Sequence, residues 1–430
     1  MLFFRQTNLA YISPYLRKLN LKNQRFFMQA TGTRTKEATA GHIVDTSKIG
    51  GEFTKITNGK AQFLKSRGDL FDQLYAKQQL KFAGLNKRDI KITLPDGNVM
   101  EGKTWESTPL AIAERISKGL AQVVVGARVK YSTRDQGIGS QLAQCDEHEE
   151  VGSKADATGW ETVDVTRPFE GDCQLELLKF DSEAGKEIFW HSSSHILGLT
   201  LENGFGAHLT HGPPLDVGFF YDCYMGTNKI TPDDYKAIEL MASASAKANH
   251  PFERLILTKT EALQLFGENP FKVQLITNKI PEGAETTAYK CGNLIDLCTG
   301  PHLPNTGKIK AFKVMKSSSC YWLSNPVGDS LQRVYGVSFP KKDLLDEYVK
   351  IQEELAKRDH RNLGIQQKLF NFNPLSPGSA FWSGNGARIY EKLQDFMRNQ
   401  YKCRGYTNVI TPNIYKKALW KTSGHYFKYR

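Results

Sequence analysis

From Asp89 onward the chain commits itself to paired strands. Ile90, Ile92 and Leu94 alternate with Lys91 and Thr93, Pro95-Asp96-Gly97 supplies a tight turn, and Val99 resumes the extended pattern. A period of two places the apolar side chains on one face, and that face has to be covered. The next segment is the predicted cover. Thr108 caps a helix with Pro109 in its first turn, and Leu110, Ala113, Ile116 and Leu120 follow at helical spacing, with Gly119 near the end. Val123 to Val125 and Leu175 to Leu178 read as further strands. Residues 89–180 are thus expected to form a small mixed sheet on one helix. Ser132 to Gly159 is polar and acidic in its middle (Asp146, Glu147, Glu149, Glu150), so 132–159 reads as an inserted surface loop. Cys145 and His148 inside it have the separation of a metal-ligand pair, but no second pair accompanies them.

One such unit is a fraction of the whole. At roughly 150 residues per domain, a chain of 430 residues holds about three. No apolar run approaches the ~20 residues of a bilayer-spanning helix, which argues against a membrane partner. Seven cysteines scattered through a long chain, an odd number, argue against a disulfide scaffold. The net charge of +12 invites a polyanionic partner, and it is unevenly spread. Residues 1–40 hold seven Lys or Arg (Arg5, Arg17, Lys18, Lys22, Arg25, Arg34, Lys36) against the single acid Glu37. That composition fits a mitochondrial presequence or a disordered basic arm, hence a cytoplasmic or mitochondrial location, or both.

Residues 41–88 are lysine-rich with scattered apolar positions and read as a helical or loosely ordered lead-in without recognisable chemistry. Residues 181–340 mix helical and strand segments in a second, larger domain. Residues 341–362 form an amphipathic linker helix with Leu344, Leu345, Tyr348, Ile351 and Leu355 on one face. A third unit spans 363–430, where Ile389, Tyr390, Leu393, Phe396, Met397 and Tyr401 predict a helix ended by Gly405, and Tyr406 to Thr411 reads as a strand stopped by Pro412.

The chemistry concentrates in the second domain. His191-Ser-Ser-Ser-His195 puts two imidazoles on one face of a helix. About a hundred residues later, Asp296-Leu297-Cys298-Thr299-Gly300-Pro301-His302 adds a thiol, a third imidazole and a carboxylate around a Gly-Pro turn. Three readings are open from spacing alone. The four groups can make a zinc set. They can clamp a nucleophilic water without a metal, a histidine taking its proton. Or they are buried histidines satisfied by backbone carbonyls.

These motifs, with Gly212-Pro213-Pro214-Leu215-Asp216-Val217-Gly218-Phe219-Phe220-Tyr221-Asp222 and Leu331-Gln332-Arg333-Val334-Tyr335-Gly336, resemble the editing domain of threonyl-tRNA synthetases. Lys357-Arg358-Asp359-His360-Arg361 is similar to the family's linker, and Ile92-Thr93-Leu94-Pro95-Asp96-Gly97 to the start of its ubiquitin-like TGS domain. Leu375-Ser376-Pro377-Gly378-Ser379, Gly405-Tyr406-Thr407-Asn408-Val409-Ile410-Thr411-Pro412 and Leu419-Trp420-Lys421-Thr422-Ser423-Gly424-His425 resemble the entry to a class II synthetase catalytic domain, with Pro412 as the proline of its first motif.

The resemblance implies an α+β multidomain protein: a β-grasp TGS domain, an α+β editing domain, and the start of a class II antiparallel-sheet catalytic domain. It implies ATP-dependent attachment of threonine to tRNA(Thr), with proofreading hydrolysis of seryl-tRNA(Thr). Threonine and serine differ by one methyl, which a pocket discriminates by only ~1–3 kcal/mol, so a second site must remove the error. Position by position, the resemblance sets His191 and His195 at the water and terminal ribose, with Cys298 and His302 lining the pocket. Lys272 becomes the editing cation, Asp296 the residue orienting the substrate amine and Tyr221 a pocket wall. Without the resemblance, Lys272 reads as an exposed lysine on a strand. No metal is expected at the editing site. ATP, Mg and a zinc belong with the second and third class II motifs, expected beyond residue 430, so that aminoacylation is not expected of residues 1–430 alone. A homodimer is implied for the full-length enzyme. The alternatives are a non-catalytic RNA-binding regulatory fragment and a stand-alone editing hydrolase.

Overall fold

The computed structural model describes residues 48–51, 53, 62–135, 143 and 158–428. The basic arm 1–40, the Cys145 and His148 pair and most of the 132–159 loop lie outside the described residues. The chain divides into two compact units, Met1–Leu345 and Asp346–Arg430.

The first unit opens with helix α1, Gln62–Ala83. Strands β1 (Asp89–Thr93) and β2 (Val99–Lys103) then pair antiparallel in the register Asp89↔Lys103 to Thr93↔Val99, as their alternation requires. With β3 (Val124–Tyr131), β4 (Glu161–Val163) and β5 (Cys173–Lys179) they make a five-stranded sheet in the order β2-β1-β5-β3-β4. Only β1 and β5 are parallel. Ile90, Ile92, Ile112, Val129 and Leu175 fill its core.

The covering helix is two helices, not one. Thr108 caps α2 (Pro109–Ile116) by accepting the Ala111 N–H, as expected. Ser117 then turns extended, closes that helix and caps α3 (Lys118–Val123) by accepting the Leu120 N–H. A serine hydroxyl that competes for backbone N–H groups breaks a helix which apolar spacing alone would continue.

Helix α4 (Glu183–Phe205) runs from a Ser182 cap to Gly206, whose φ of 67° ends it in the left-handed conformation. It packs on both remaining sheets of this unit. One is β8 (Phe252–Thr258), β9 (Glu285–Cys291) and β10 (Leu294–Leu297) in the order β10-β9-β8. The other comprises β6 (His208–Leu209), β7 (Phe219–Tyr224), β11 (Ala311–Tyr321) and β12 (Ser330–Phe339) in the order β11-β12-β7-β6. Both are antiparallel. Helices α5 (Pro232–Ala248), α6 (Lys259–Leu265) and α7 (Pro270–Lys279) complete the unit. The lead-in is not peripheral: Phe71 of α1 is fully buried among Leu255, Leu257, Ile295 and Leu297.

The predicted linker helix is α8 (Lys342–Lys357), followed after a break by α9 (His360–Gln366). Asp359 makes the break by capping α9, accepting the Arg361 N–H at 2.8 Å. The second unit adds the hairpin β13 (Phe370–Phe372) and β14 (Ala380–Trp382), then α10 (Gly384–Cys403), closed near Gly405 as the sequence indicates. Short helices α11 (Lys417–Thr422) and α12 (His425–Lys428) follow. Tyr406 to Thr411 is not a strand, a correction to the sequence reading. A strand is defined by its ladder, and among the described residues no neighbour pairs with this stretch. Pro412 lies just after it.

Candidate active site

Helix α4 is enclosed along most of its length, which its sequence permits because Ser192, Ser193 and Ser194 are small and send their hydroxyls back to the carbonyls of Ile188, Phe189 and His191. Nothing in these serines needs water, so His191 and His195 are carried into a closed interior, 5% and 4% exposed. The Gly300-Pro301 turn after β10 brings Cys298 and His302 against them. Cys298 Sγ lies 3.3 Å from His191 Nε2 and 3.2 Å from His302 Nε2. The two sequence motifs therefore meet in one cluster.

A second set of contacts fixes its charge. Asp296 sits on β10, with Oδ1 2.8 Å from Lys272 Nζ and Oδ2 3.0 Å from His195 Nδ1. The Tyr221 hydroxyl also donates to Oδ2. Burial acts to raise Asp296, but Lys272 and His195 outweigh it and hold the carboxyl well below its ordinary range. Burial, and next the adjacent Asp296, push the Tyr221 phenol far up, so it stays a neutral donor.

Lys272 corrects the plain reading of its sequence. It lies in the first turn of a helix, α7, and is 3% exposed. Asn269 caps that turn, accepting the N–H groups of Phe271 and Lys272, and its amide donates to the Leu209 carbonyl at 2.7 Å. Tyr221 is held between two glycines, since a Cβ on Gly198 or Gly212 would come within 2.8 or 2.3 Å of its ring.

The histidine protonation follows from the network. Ser192 Oγ donates to the Ile188 carbonyl at 2.8 Å and accepts the Leu303 N–H at 2.9 Å, so its 3.2 Å contact with His302 Nδ1 is donated by the ring. His302 Nε2 is then a bare acceptor facing Cys298. Burial, then the neighbouring imidazoles, push His302 well down, and burial pushes His191 down to about 3, so both are neutral. Asp296 accepts the Nδ1 proton of His195. His195 Nε2 and His191 Nδ1 are buried with no hydrogen-bond partner among the described residues.

Such a set can accept a proton from a water and hold it in place. It can also hold a cation: His191, His195, Cys298 and His302 each bring one donor atom to within 4.8 Å of the others. The donor types suit zinc, although Lys272 and Asp296 already form a complete ion pair beside them.

Two residues that sequence reasoning missed support the cluster. Asp164 accepts the His302 N–H at 2.6 Å and the Tyr289 hydroxyl at 2.8 Å. Glu202, on α4, pairs with Arg67 of α1 at 2.6 Å. Neither stands in a motif, and their partners are 138 and 135 residues away in sequence. Of the predicted residues, His191, His195, Cys298, His302, Lys272, Asp296 and Tyr221 all fall in this one region of the first unit. Pro412 belongs to the second.

Residues 90–179 match the TGS domain family, and residues 286–335 match the threonyl and alanyl tRNA synthetase second additional domain. The cytoplasmic threonine–tRNA ligase of Caenorhabditis elegans is 47% identical over 388 residues, 90% of this chain and 49% of that protein. The cytoplasmic enzyme of Saccharomyces cerevisiae is 42% identical over 382 residues, 86% of this chain and 48% of that protein. A mitochondrial threonine–tRNA ligase of Arabidopsis thaliana is 45% identical over 369 residues, 85% of this chain and 48% of that protein. The chain thus spans about half the length of the curated relatives it matches. Along most of its length it is related to the threonine–tRNA ligases, and within that stretch it matches the TGS domain and the threonyl and alanyl tRNA synthetase second additional domain.

Proposed function

We propose that the buried cluster hydrolyses seryl-tRNA(Thr), as the proofreading part of a threonine–tRNA ligase. The observation that carries the reading is the chain Lys272–Asp296–His195, which ends in a buried, unpartnered imidazole nitrogen.

His195 Nε2 takes a proton from a water as the water oxygen attacks the seryl carbonyl. Asp296 holds the ring in the required tautomer and stabilises the imidazolium that forms, as a carboxylate does in a catalytic triad. Lys272, ion-paired to Asp296, stabilises the oxyanion. The intermediate collapses by breaking the carbon–oxygen bond to the terminal ribose, whose oxygen receives the proton. Free serine and intact tRNA result. Three of about four lone-pair directions of Asp296 are taken by Lys272, His195 and Tyr221, so a substrate amine has to share the carboxylate with them. Tyr221, fixed between glycines, is the wall against an extra methyl.

In the complete ligase reaction the further partners are threonine, ATP and Mg, with the catalytic-site zinc and the homodimer interface implied by the class II resemblance. The basic arm supports a mitochondrial form beside a cytoplasmic one. Among the described residues, no helix is long and apolar enough to cross a membrane.

The test is hydrolysis of seryl-tRNA(Thr) against threonyl-tRNA(Thr) by the full chain, with His195→Ala and Lys272→Ala, with and without chelator. Selective seryl cleavage, lost in both variants and indifferent to chelator, is expected. Loss on chelation assigns the four-donor set to a metal instead. Binding of tRNA without cleavage leaves a non-catalytic RNA-binding role.

A further inference from the structure

Lys272 stands where a helix least favours it. It lies in the first turn of α7, at the positive end of the helix dipole, and that turn holds no acidic residue. Its ammonium is carried on a flexible four-carbon stem, so the place of the charge depends on how firmly the backbone beneath it is held. The residue that holds it is Asn269, itself 7% exposed. The Asn269 side-chain oxygen accepts the N–H groups of Phe271 at 3.1 Å and Lys272 at 3.2 Å. Its amide donates to the Leu209 carbonyl at 2.7 Å.

The acceptor of that last bond links two parts of the site. Leu209 belongs to β6, the edge strand of the four-stranded sheet, and pairs with Cys223 of β7. Two residues earlier on β7 stands Tyr221. Lys272 and Tyr221 both donate to Asp296, which stands on β10 of the other sheet. One end of the Asn269 amide thus holds the turn that carries Lys272, and the other holds the strand pair that carries Tyr221. Aspartate caps a helix as well as asparagine and suits its positive end better, but its carboxylate brings no proton to the Leu209 carbonyl. Further along, α7 is seated by Phe271, whose ring lies 5.3 Å from that of Tyr224 and 5.2 Å from that of Trp322, and by Gln274, which accepts Trp322 Nε1 at 2.6 Å. Apolar packing keeps the helix on the sheet without direction, whereas a hydrogen bond sets an angle as well as a distance.

We infer that Asn269 is a positioning residue for the cluster: the bond from its amide to Leu209 fixes the first turn of α7 against the β6–β7 pair, and so sets the Lys272 ammonium on Asp296. Without that donor the cap remains, but the turn is free to rotate about the Phe271 packing. Lys272 then leaves hydrogen-bond distance of Asp296 while Tyr221 keeps its place. The kinetic consequence rests on the hydrolytic reading above, whereas the placement of Lys272 does not.

The test compares wild type, Asn269→Ser and Asn269→Asp of the full chain, by seryl-tRNA(Thr) hydrolysis and by crystal structures. Both variants keep a good helix cap and lose the donor, serine because it is one bond too short and aspartate because it has no amide proton. Each is expected to lower kcat about 10- to 100-fold, the cost of misplacing a catalytic group, with KM little changed. In the Asn269→Ser crystal Lys272 Nζ lies beyond hydrogen-bond distance of Asp296. Wild-type kcat in either variant, or a Lys272 still 2.8 Å from Asp296 in that crystal, overturns the inference and leaves Asn269 as a helix cap alone. Should the wild type cleave nothing, the hydrolytic reading falls, and the Asn269→Ser crystal still decides the positioning.

Discussion

Asp164 accepts the backbone N–H of His302 at 2.6 Å across 138 residues of sequence. Its second oxygen holds the Tyr289 hydroxyl, whose ring stands edge-on to the His302 imidazole with centroids 4.5 Å apart. The segment between β4 and β5 of the five-stranded sheet thereby sets the turn that carries Cys298 and His302.

Asp164→Ala leaves that N–H and the Tyr289 hydroxyl without an acceptor in a dry interior. An unsatisfied buried donor costs about 1–3 kcal/mol. The urea midpoint should fall by that equivalent with an unchanged m value, and seryl-tRNA(Thr) hydrolysis should fall with it. Asp164→Asn, which keeps one acceptor oxygen, should lie between. A variant as stable as wild type would show that Asp164 does not organise the turn.

Asp296→Asn removes the charge that Lys272 and His195 share. The stranded ammonium should cost about 3–5 kcal/mol, as for other broken buried pairs. Adding Lys272→Met should recover much of that stability, because the uncompensated charge is then gone too, but none of the hydrolysis. Thermal denaturation and deacylation measured on the same three proteins separate the two effects. Recovery of activity in the double variant would remove Asp296 from the mechanism.

Gly198→Ala places a methyl 2.8 Å from the Tyr221 ring. Overpacking a core of this kind costs about 1–3 kcal/mol. Tyr221 has Gly212 behind it and cannot retreat, so the ring should press on Asp296 and narrow the pocket. Hydrolysis of the seryl ester should slow more than binding weakens, read as a fall in kcat at similar KM. A change in KM alone would mean that the ring does not touch the reacting geometry.

Stability should decline on mild acidification. His191 has a folded-state pKa of about 3 against an ordinary 6.5, and His302 is likewise held well below it. Between those values the unfolded chain binds protons that the folded chain refuses, so the contribution of these two imidazoles is lost as pH falls below about 6.5, opposed in part by Glu202 and Glu253, whose carboxyls burial holds above their ordinary range. The slope approaches ~1.4 kcal/mol per proton per pH unit. Asp296, likewise depressed, adds its own loss only below the ordinary carboxylate range. Melting temperatures between pH 5 and 8 should show the slope, and His302→Asn should reduce it.

The strands of residues 89–99 and the paired histidines were legible because each is a local pattern: alternation fixes a face, and i, i+4 spacing fixes a stripe. Lys272 was legible as a site residue only by resemblance: Asn269-Pro270 carries the same cap-and-proline start as Thr108-Pro109, but no local pattern shows that the helix it opens is buried at its first turn. Ser117 and Asp359 broke helices whose apolar spacing runs on, because a side-chain oxygen can take a backbone N–H wherever the chain offers one. Asp164 and Arg67 were invisible for a different reason. Each is a single polar residue whose partner is more than 130 residues away, and no window of sequence contains both halves of such a pair.

Two buried ion pairs at the cluster cancel: Arg67 offsets Glu202, and Lys272 offsets Asp296. The chain as a whole carries +12, so its attraction for a polyanion resides outside these two pairs. On the proposed hydrolytic reading, an incoming RNA terminus would be gathered by the surface and then handed to a place whose two ion pairs already cancel. Added salt should accordingly weaken capture of the RNA while leaving the rate of bond cleavage, once it is seated, unchanged.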